Sequence, residues 1–357
     1  MTHSEIAHRR LRTQQVIGSR FSEPEQIVDW LGAVQSQDYM GAKWALGQRL
    51  QNATDDKIEQ AFTAGTILRT HVMRPTWHFV TPNDIRWMLE LTAPRVETLN
   101  GTYYRKMELD DAIFARSHEV LIKALAGGQQ LTRNELADLL EQAGIVTDDL
   151  RLTLLVMEAE LKGIICSGAR RGKQFTYALL EERAPNARKL DRDEALVEMV
   201  RRYFTGHGPA TVQDFVWWSG LTVADAKAGL DMLKDELIQE TIDGRTYWFA
   251  ETVSGEKPDN LTAFLMPNYD ECLASYKDRS AVLDPQYAHM WDRENAIFSH
   301  HVVIEGQILG SWQRDLKRKT VIVKIKPFAP LNDAQQEAVN AAVRRYGEFL
   351  GLTAVLE

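Results

Sequence analysis

The segment TVQDFVWWSGLTVADAKAGLDMLKDELIQETIDGRTYWF, residues 211–249, decides the fold that this chain predicts. Thr211 and Thr222 each precede a stretch with helical apolar spacing, and a Ser-Gly step separates the two stretches. A hydroxyl residue ahead of such a stretch is typical of a helix cap. Two alternating segments then flank Asp243-Gly244, which is typical of a type I′ hairpin turn. Two short helices followed by a β-hairpin make a winged helix, so the segment predicts one.

The same order of elements occurs twice earlier in the chain. Capped helices are predicted to begin at Ser22-x-x-Glu25 and Thr132-x-x-Glu135, and the second module continues with a helix over about 148–161. The three predicted hairpins join 66–73 to 76–80, 164–167 to 174–179, and 238–242 to 245–249. We therefore predict three winged helices in tandem, the first the least regular, at 1–92, 93–185 and 186–252.

The pattern changes towards the end of the chain. Residues 254–260 are polar and turn-rich, which is typical of a linker. Strands are predicted at 261–266, 296–304, 307–312, 320–325 and 353–356, with a turn at Glu305-Gly306 and a helix at 333–350. The sequence therefore predicts an α+β fold whose last domain, 260–357, is β-rich and barrel-like.

The composition is that of a folded, acidic protein. Of 357 residues, 44% are hydrophobic and 26% are charged, and the net charge is −8. Contact with a nucleic acid therefore requires a local positive surface. No apolar core follows the basic start, and no run approaches the ~18 apolar residues of a membrane span, so we expect a cytoplasmic protein with no membrane contact. Cys166 and Cys272 lack CxxC spacing, which fits a reducing compartment.

The stretch AVQSQDY, residues 33–39, places two amides where an amphipathic helix is expected to end. Side chains two residues apart point about 200° apart on a helix, but to one side on an extended chain. Gln35 and Gln37 can therefore act together only if the helix ends near Gln35. Each amide offers two donors and one acceptor oxygen, so the pair can orient a water molecule but can hardly deprotonate it. The alternative is a solvent-exposed helix end without a function.

Six stretches carry a family resemblance: VQSQDYMGAKWALGQRL, RTHVMRPTWHFVTPNDIRWML, LTRNELADLLEQAGI, AELKGIICSGARRGKQFTYALL, RRYFTGHGPATVQDFVWWSGL and LMPNYDECLASYKDRS. In this order they resemble the AlkZ-type winged-helix DNA glycosylases. The resemblance implies three winged helices around a β-rich domain, C-shaped overall, with a concave DNA-binding face. The family's two glutamines match Gln35 and Gln37, whereas Ser36 replaces the apolar residue usual between them.

The resemblance also implies an activity. The family removes alkylated purines, including crosslinked ones, by hydrolysing the N-glycosidic bond. A purine alkylated at N7 or N3 is cationic and leaves as a neutral base, so catalysis needs a positioned water and stabilisation of a positive sugar more than a strong acid. We expect a monofunctional enzyme without a cofactor, a monomer, acting on double-stranded DNA with alkylated or crosslinked purines. Gln35 and Gln37 would position the water, and Asp38 would assist electrostatically, cap a helix or remain a surface charge.

The predicted first hairpin contains two histidines. A turn at Arg74-Pro75 would put His71 opposite His78 on one face. We do not predict a metal site, because no third ligand lies in local register. Three roles remain open for these histidines, with Arg69 and Arg74: support of the glutamine stretch, a DNA contact, or hairpin structure alone.

Two basic clusters lie at predicted hairpin turns, where winged helices meet phosphates but where charge is also well solvated. The first comprises Arg170, Arg171 and Lys173, and the second Arg314, Lys317, Arg318 and Lys319.

Other pairs have ordinary structural interpretations. Trp44, Trp77, Trp217 and Trp218 are candidates for base stacking, but the helical spacing of 217 and 218 favours the core. Asp270-Glu271 resembles a paired-carboxylate site; we predict instead a structural bridge from it to Lys277 or Arg279.

Two further functions fit the predicted fold. A DNA-binding transcriptional regulator would use the winged helices for sequence-specific binding without turnover. A protein-interaction scaffold would use them as adaptors. The acidic balance and three modules in one chain favour a clamp around one lesion.

Overall fold

The computed structural model describes residues 1–148, 150–251, 261–292 and 295–357. The predicted linker at 254–260 therefore lies outside the described residues. Of the helices in these ranges, none combines the length and apolar character that crossing a bilayer requires. The fold is mixed, with helices predominating up to residue 232 and a five-stranded sheet in the last part of the chain.

The third region contains the two helices and the hairpin predicted at 211–249. Numbered by their order among the described residues, its elements are α10 (Arg192–Gly206), α11 (Val212–Ser219), α12 (Val223–Met232), β7 (Ile238–Ile242) and β8 (Arg245–Phe249). Thr211 and Thr222 accept the backbone N–H groups of Asp214 and Asp225, at 3.2 and 3.1 Å. At the hairpin turn, Asp243 has φ 50°, the left-handed conformation that a type I′ turn requires.

The second region is also close to the prediction. Its elements are α6 (Asp111–Leu125), β4 (Leu131–Thr132), α7 (Arg133–Gln142), α8 (Arg151–Leu161), β5 (Ile165–Ser167), β6 (Thr176–Leu179) and α9 (Leu180–Arg183). The predicted exchange of hydrogen bonds between Thr132 and Glu135 is present. Strand β6 lies between β4 and β5.

The first region departs from the prediction at the start of its second helix. Its elements are α1 (His3–Thr13), α2 (Pro24–Leu31), β1 (Val34–Gln35), α3 (Tyr39–Gly47), α4 (Asp55–Ala64), β2 (Leu68–His71), β3 (Trp77–Val80) and α5 (Ile85–Lys106). The predicted cap at Ser22 is wrong, because Glu23 is the capping position and Pro24 opens the helix. Proline suits the first helical position, since its ring presets the helical φ. The Gln26 amide oxygen accepts the N–H groups of Ser22 and Glu23, at 3.1 and 3.0 Å.

The first hairpin has a register one residue away from the prediction. His71 pairs with Trp77, and Thr70 pairs with His78. The connection is centred on Arg74 instead of lying between Arg74 and Pro75. Because successive side chains alternate between the faces of a strand, the one-residue shift puts His71 and His78 on opposite faces. The prediction that they face each other is wrong.

The last part of the chain forms one sheet with a helix against it. The elements are β9 (Ala263–Met266), α13 (Glu271–Ala274), β10 (His301–Ile304), β11 (Gln307–Leu316), β12 (Thr320–Pro327), α14 (Asp333–Leu350) and β13 (Thr353–Leu356). The strand order is β13-β12-β11-β10-β9, and β13 runs parallel to β12. The strand predicted at 296–304 is wrong in its first half, where Ala296–Phe298 form a 3-10 turn. The predicted helix at 333–350 and strand at 353–356 are confirmed.

The first hairpin lies between two hydrophobic cores. Leu68 and Val80 belong to a core shared with Trp218 of α11, whereas Phe79 belongs to a core shared with Trp312 of β11. Alternate residues of β3 are thus buried against two distant parts of the chain. This double packing fixes the hairpin and the short strand β1 that pairs with it.

Candidate active site around Gln35 and Gln37

The backbone at the two glutamines has the extended form that joint action requires. Helix α2 ends at Leu31, and Gln35 pairs with His78 across β1 and β3. The N–H of Ser36 then donates to the carbonyl oxygen of Trp77 at 2.8 Å. The helix therefore ends near Gln35, which is the condition for joint action of the two amides. The two amides differ in accessibility, because Gln35 is 5% exposed whereas Gln37 is an exposed residue.

Gln35 is held by two charged residues from other parts of the chain. Its N–H donates to Oε1 of Glu271 at 2.7 Å. Its side-chain oxygen accepts a hydrogen bond from Nη2 of Arg74 at 3.1 Å. The carboxylate therefore fixes the backbone of Gln35, and the guanidinium fixes the orientation of its amide.

Glu271 is a buried, ionised carboxylate. It is 1% exposed, and its Oε2 accepts a hydrogen bond from the hydroxyl of Ser275 and lies 3.6 Å from Nε2 of His207. That separation is an ion-pair distance and is long for a hydrogen bond. Burial raises the pKa of Glu271, but His207, the Ser275 hydroxyl and the Gln35 N–H together lower that pKa to about 2. A negative charge thus lies next to the backbone of Gln35.

Arg74 is influenced by the charge of this carboxylate and lies near an aromatic ring. Its guanidinium carbon is 5.6 Å from the ring centroid of Trp217. Burial lowers the pKa of Arg74, and the charge of Glu271 opposes that shift. Trp217 is half-buried and donates to the carbonyl oxygen of Ala274 at 2.9 Å, whereas its neighbour Trp218 is in the core. The expectation of a core position is confirmed for Trp218 alone.

Asp38 caps the helix that follows the two glutamines. Its Oδ1 accepts the N–H of Gly41 at 3.1 Å, at the start of α3. Arg314 approaches the same carboxylate at 3.8 Å and donates to the Tyr346 hydroxyl at 2.9 Å. Among the roles considered for Asp38, the structure therefore shows the helix cap.

A cavity of about 430 Å³ opens beside Gln37. Its lining includes Gln37, Arg69, Trp77, Arg133, Lys173 and Phe175, and none of the described lining residues is acidic. Arg69 lies 4.3 Å from the ring centroid of Trp77 and 4.6 Å from that of Phe175. Burial lowers the pKa of Arg69 to about 10, and the charge of Glu160 opposes the shift. The surroundings of Gln37 are therefore cationic and aromatic.

The two histidines of the first hairpin have separate partners. His71 pairs with the buried Glu160, whereas Nδ1 of His78 lies 2.9 Å from the carbonyl oxygen of Thr76. Burial and the charge of Arg74 lower the pKa of His78 to about 3, so this histidine is neutral near pH 7. No group of three metal-binding side chains occurs in the described ranges.

The first basic cluster is divided between internal ion pairs and the cavity. Arg170 pairs with Glu59 at 3.2 Å, and Arg171 pairs with Glu135 at 2.7 Å. Lys173 is exposed and lines the cavity beside Gln37.

The second basic cluster is also divided. Lys317, Arg318 and Lys319 are exposed at the turn between β11 and β12, and Lys317 lies 2.7 Å from Asp315. Arg314 lies away from this turn, against Asp38.

The predicted partners of the Asp270-Glu271 pair are wrong. Asp270 forms two hydrogen bonds with Arg49, at 2.9 and 2.8 Å, and both residues are buried. Sequence reasoning missed Glu271 as a contact of Gln35, because 236 positions separate the two residues. The available signal was a pair of adjacent carboxylates followed directly by the apolar residues Cys272, Leu273 and Ala274.

Comparison with known proteins agrees with this site and fold. The family model of the AlkZ-like DNA glycosylases matches residues 28–349. The chain therefore belongs to the AlkZ-like DNA glycosylase family, whose members are enzymes that act on N-glycosyl bonds.

One relative is the interstrand DNA cross-link repair glycosylase of Streptomyces sahachiroi, which is 24% identical over an alignment of 306 residues. The alignment covers 80% of this chain and 81% of that protein. The solved structure of the DNA glycosylase AlkZ from Streptomyces sahachiroi matches the whole of both chains with a TM-score of 0.80 and 19% identity. At that identity the structural match shows a shared fold.

Proposed function

We propose that this protein is a monofunctional DNA glycosylase that hydrolyses the N-glycosidic bond of cationic purines alkylated at N7 or N3. The proposal includes purines in interstrand crosslinks, the damage named for the Streptomyces sahachiroi relative. The observation that carries it is the pair of neighbouring amides: Gln35 is fixed from behind by Glu271 and Arg74, and Gln37 opens on a cationic cavity.

Amide chemistry is sufficient for this reaction. An alkylated purine leaves as a neutral base, so the enzyme needs no strong general acid at the leaving group. Gln35 and Gln37 would orient water at C1′ of the lesion. Because the amide oxygen of Gln35 already accepts from Arg74, its two N–H groups are what it chiefly offers to substrate or water. The negative charge of Glu271 would stabilise the positive sugar of the transition state.

The architecture that we propose for this function is three winged-helix modules, at 1–92, 93–185 and 186–252, with a β-rich domain at 260–357. They would form a C-shaped clamp with a concave face for duplex DNA. A helix pair followed by a hairpin supports the second and third modules. We further propose a cytoplasmic monomer that acts without a cofactor.

DNA phosphates would be contacted by the exposed cations of the two basic clusters. Lys317, Arg318 and Lys319 have the exposure that such contacts require. Arg170 and Arg171 would reach phosphates only by exchanging their present carboxylate partners.

Base release from damaged duplexes tests the function. The protein is incubated with duplexes carrying N7-methylguanine or an N7-linked interstrand crosslink, and with an undamaged duplex as control. We expect free base to appear, and strand cleavage at the lesion only after treatment with alkali. Cleavage without alkali would contradict a monofunctional enzyme. Sequence-specific binding without base release would support a transcriptional regulator instead.

A further inference from the structure

The cavity beside Gln37 concentrates positive charge in an acidic protein. Arg69 comes from β2, Arg133 opens α7, and Lys173 lies between β5 and β6. The three cations are thus contributed by two regions of the chain, whose net charge is −8. Gln37 itself lines the same cavity.

Arg69 is the most buried of the three cations. It is 8% exposed, and its Nε and Nη2 both donate to the carbonyl oxygen of Ser36, at 3.2 and 3.1 Å. No carboxylate of the described residues forms an ion pair with it, since the nearby Glu160 is paired with His71. A buried cation whose acceptor is a neutral carbonyl oxygen is stabilised by an anion placed next to it.

The aromatic rings of the cavity are already in contact with other side chains. Trp77 contacts both Arg69 and His71, whose ring centroid is 4.3 Å away. Phe175 contacts Arg69 and Arg170. Bases stack on open ring faces, so these occupied rings disfavour a base. A cationic alkylated purine would be repelled by three positive charges. The remaining component of DNA that suits the cavity is the phosphate group.

We propose that this cavity is a phosphate subsite, in which Arg69, Arg133 and Lys173 hold the backbone phosphate of a nucleotide next to the lesion. Binding there sets the position of the lesion's C1′ against Gln37. The inference rests on the proposed function, because it takes the lesion strand to lie along Gln37. It assigns the phosphate contact to these three cations rather than to Arg170 and Arg171, which are paired with Glu59 and Glu135.

A double-mutant cycle between protein and DNA tests the subsite. The DNA is a duplex with a tetrahydrofuran abasic site, carrying one neutral methylphosphonate at each of the three phosphates on either side in turn. The proteins are the wild type, Lys173→Met, Arg133→Met and the control Lys123→Met, which removes an exposed charge from α6 outside the cavity. Dissociation constants are measured at fixed salt, and thermal melting shows that each variant is folded.

We expect one methylphosphonate position to weaken wild-type binding about tenfold, the usual size for a lost charged hydrogen bond. Lys173→Met or Arg133→Met should weaken binding to the unmodified duplex about as much. For either variant, the same methylphosphonate should then weaken binding by less than about a further twofold. With Lys123→Met the methylphosphonate should keep its full effect. The phosphate subsite is overturned if, at every methylphosphonate position, the losses of binding free energy from the DNA change and from each cavity variant simply add. It is also overturned if neither variant weakens binding.

The cycle is independent of catalysis. Because the abasic duplex contains no base to release, failure of the proposed function appears in the base-release assay alone. Coupling in the cycle without base release would support the phosphate subsite and contradict the proposed glycosylase activity. Base release without coupling would support the glycosylase activity and contradict the phosphate subsite.

Discussion

The surroundings of Gln35 and Gln37 differ more than two neighbouring identical amides would suggest. Gln35 is 5% exposed and is fixed by an ionised carboxylate and a guanidinium. Gln37 is exposed, and the Trp77 N–H lies 3.4 Å from its side-chain oxygen, a long hydrogen bond. One amide is therefore held in a defined orientation, whereas the other is available to substrate.

The difference suggests a division of tasks. The charges that hold Gln35 are buried, and one of them comes from α13, which lies between β9 and β10 in the chain. The charges near Gln37 are cations around an open cavity. Electrostatic catalysis on a large substrate requires both features: polar groups held in place before the substrate binds, as at Gln35, and an accessible surface, as at Gln37.

Of the substitutions considered, removal of Glu271 should have the largest effect on stability and on excision. Glu271→Ala leaves His207 without its carboxylate and the Gln35 N–H without its acceptor, so we expect a loss of about 3–5 kcal/mol in the free energy of unfolding, together with loss of excision. Glu271→Gln keeps an acceptor oxygen and should fold better, yet excise more slowly. Urea denaturation and single-turnover base release measure the two effects. The exposed Glu181→Gln is the control. Unchanged excision by Glu271→Gln would remove the charge from the mechanism.

Acid should neutralise Glu271 and so remove its contribution to stability. The folded pKa of Glu271 is about 2, below the ordinary value of 4.5, so its stabilising contribution is present above about pH 4.5 and is lost as the pH falls towards 2. The shift corresponds to a contribution on the order of 3 kcal/mol. The free energy of unfolding of the wild type should therefore fall more steeply between pH 5 and pH 3 than that of Glu271→Gln. Parallel curves for the two proteins would contradict an ionised Glu271.

Loss of Arg74 should affect excision more than DNA binding. Arg74→Met removes the donor that orients the Gln35 amide but leaves the cavity cations in place. We expect base release at saturating enzyme to slow by about 10- to 100-fold, with DNA affinity changed only a few-fold. Arg344→Met, which removes an exposed arginine from α14, is the matched control. Equal losses in affinity and in rate would indicate that Arg74 binds DNA instead of positioning Gln35.

The smallest effect is expected at the tip of the second hairpin. Arg171 is exposed, but its guanidinium is already engaged, by Glu135 at 2.7 Å and by the carbonyl oxygen of Gln130 at 2.8 Å. Arg171→Met should therefore change DNA affinity less than about threefold. Fluorescence anisotropy over a range of salt concentrations measures this. A large loss with a shallower salt dependence would show that Arg171 leaves Glu135 to bind a phosphate.

The fold could be predicted from sequence where its causes are local. Thr211, Thr222 and Asp243 each act within a few residues, so the helix starts and the turn of 211–249 were correct. The first hairpin was misregistered because its connection has an odd length centred on Arg74, which the dipeptide Arg74-Pro75 does not reveal. The Ser22 cap failed because Pro24 fixes the helix start.

The candidate site could be predicted only in part, since its supports are distant in sequence. Family resemblance and the chemistry of amides pointed to Gln35 and Gln37. Nothing near them indicates Glu271 or His207, which approach only after the third region and the last sheet pack around β1 and β3. The cavity likewise depends on α7 meeting the first hairpin, so Arg133 had no signal of its own.

Single-turnover release of N7-methylguanine by Gln35→Ala and Gln37→Ala tests the central claim most directly. Each variant should release the base about 10²- to 10³-fold more slowly than the wild type, the usual cost of removing one preorganised polar group from a transition state. DNA affinity and melting temperature should remain close to wild type for Gln37→Ala, whose side chain is exposed. Full excision by either variant would contradict the assignment of these two amides to catalysis.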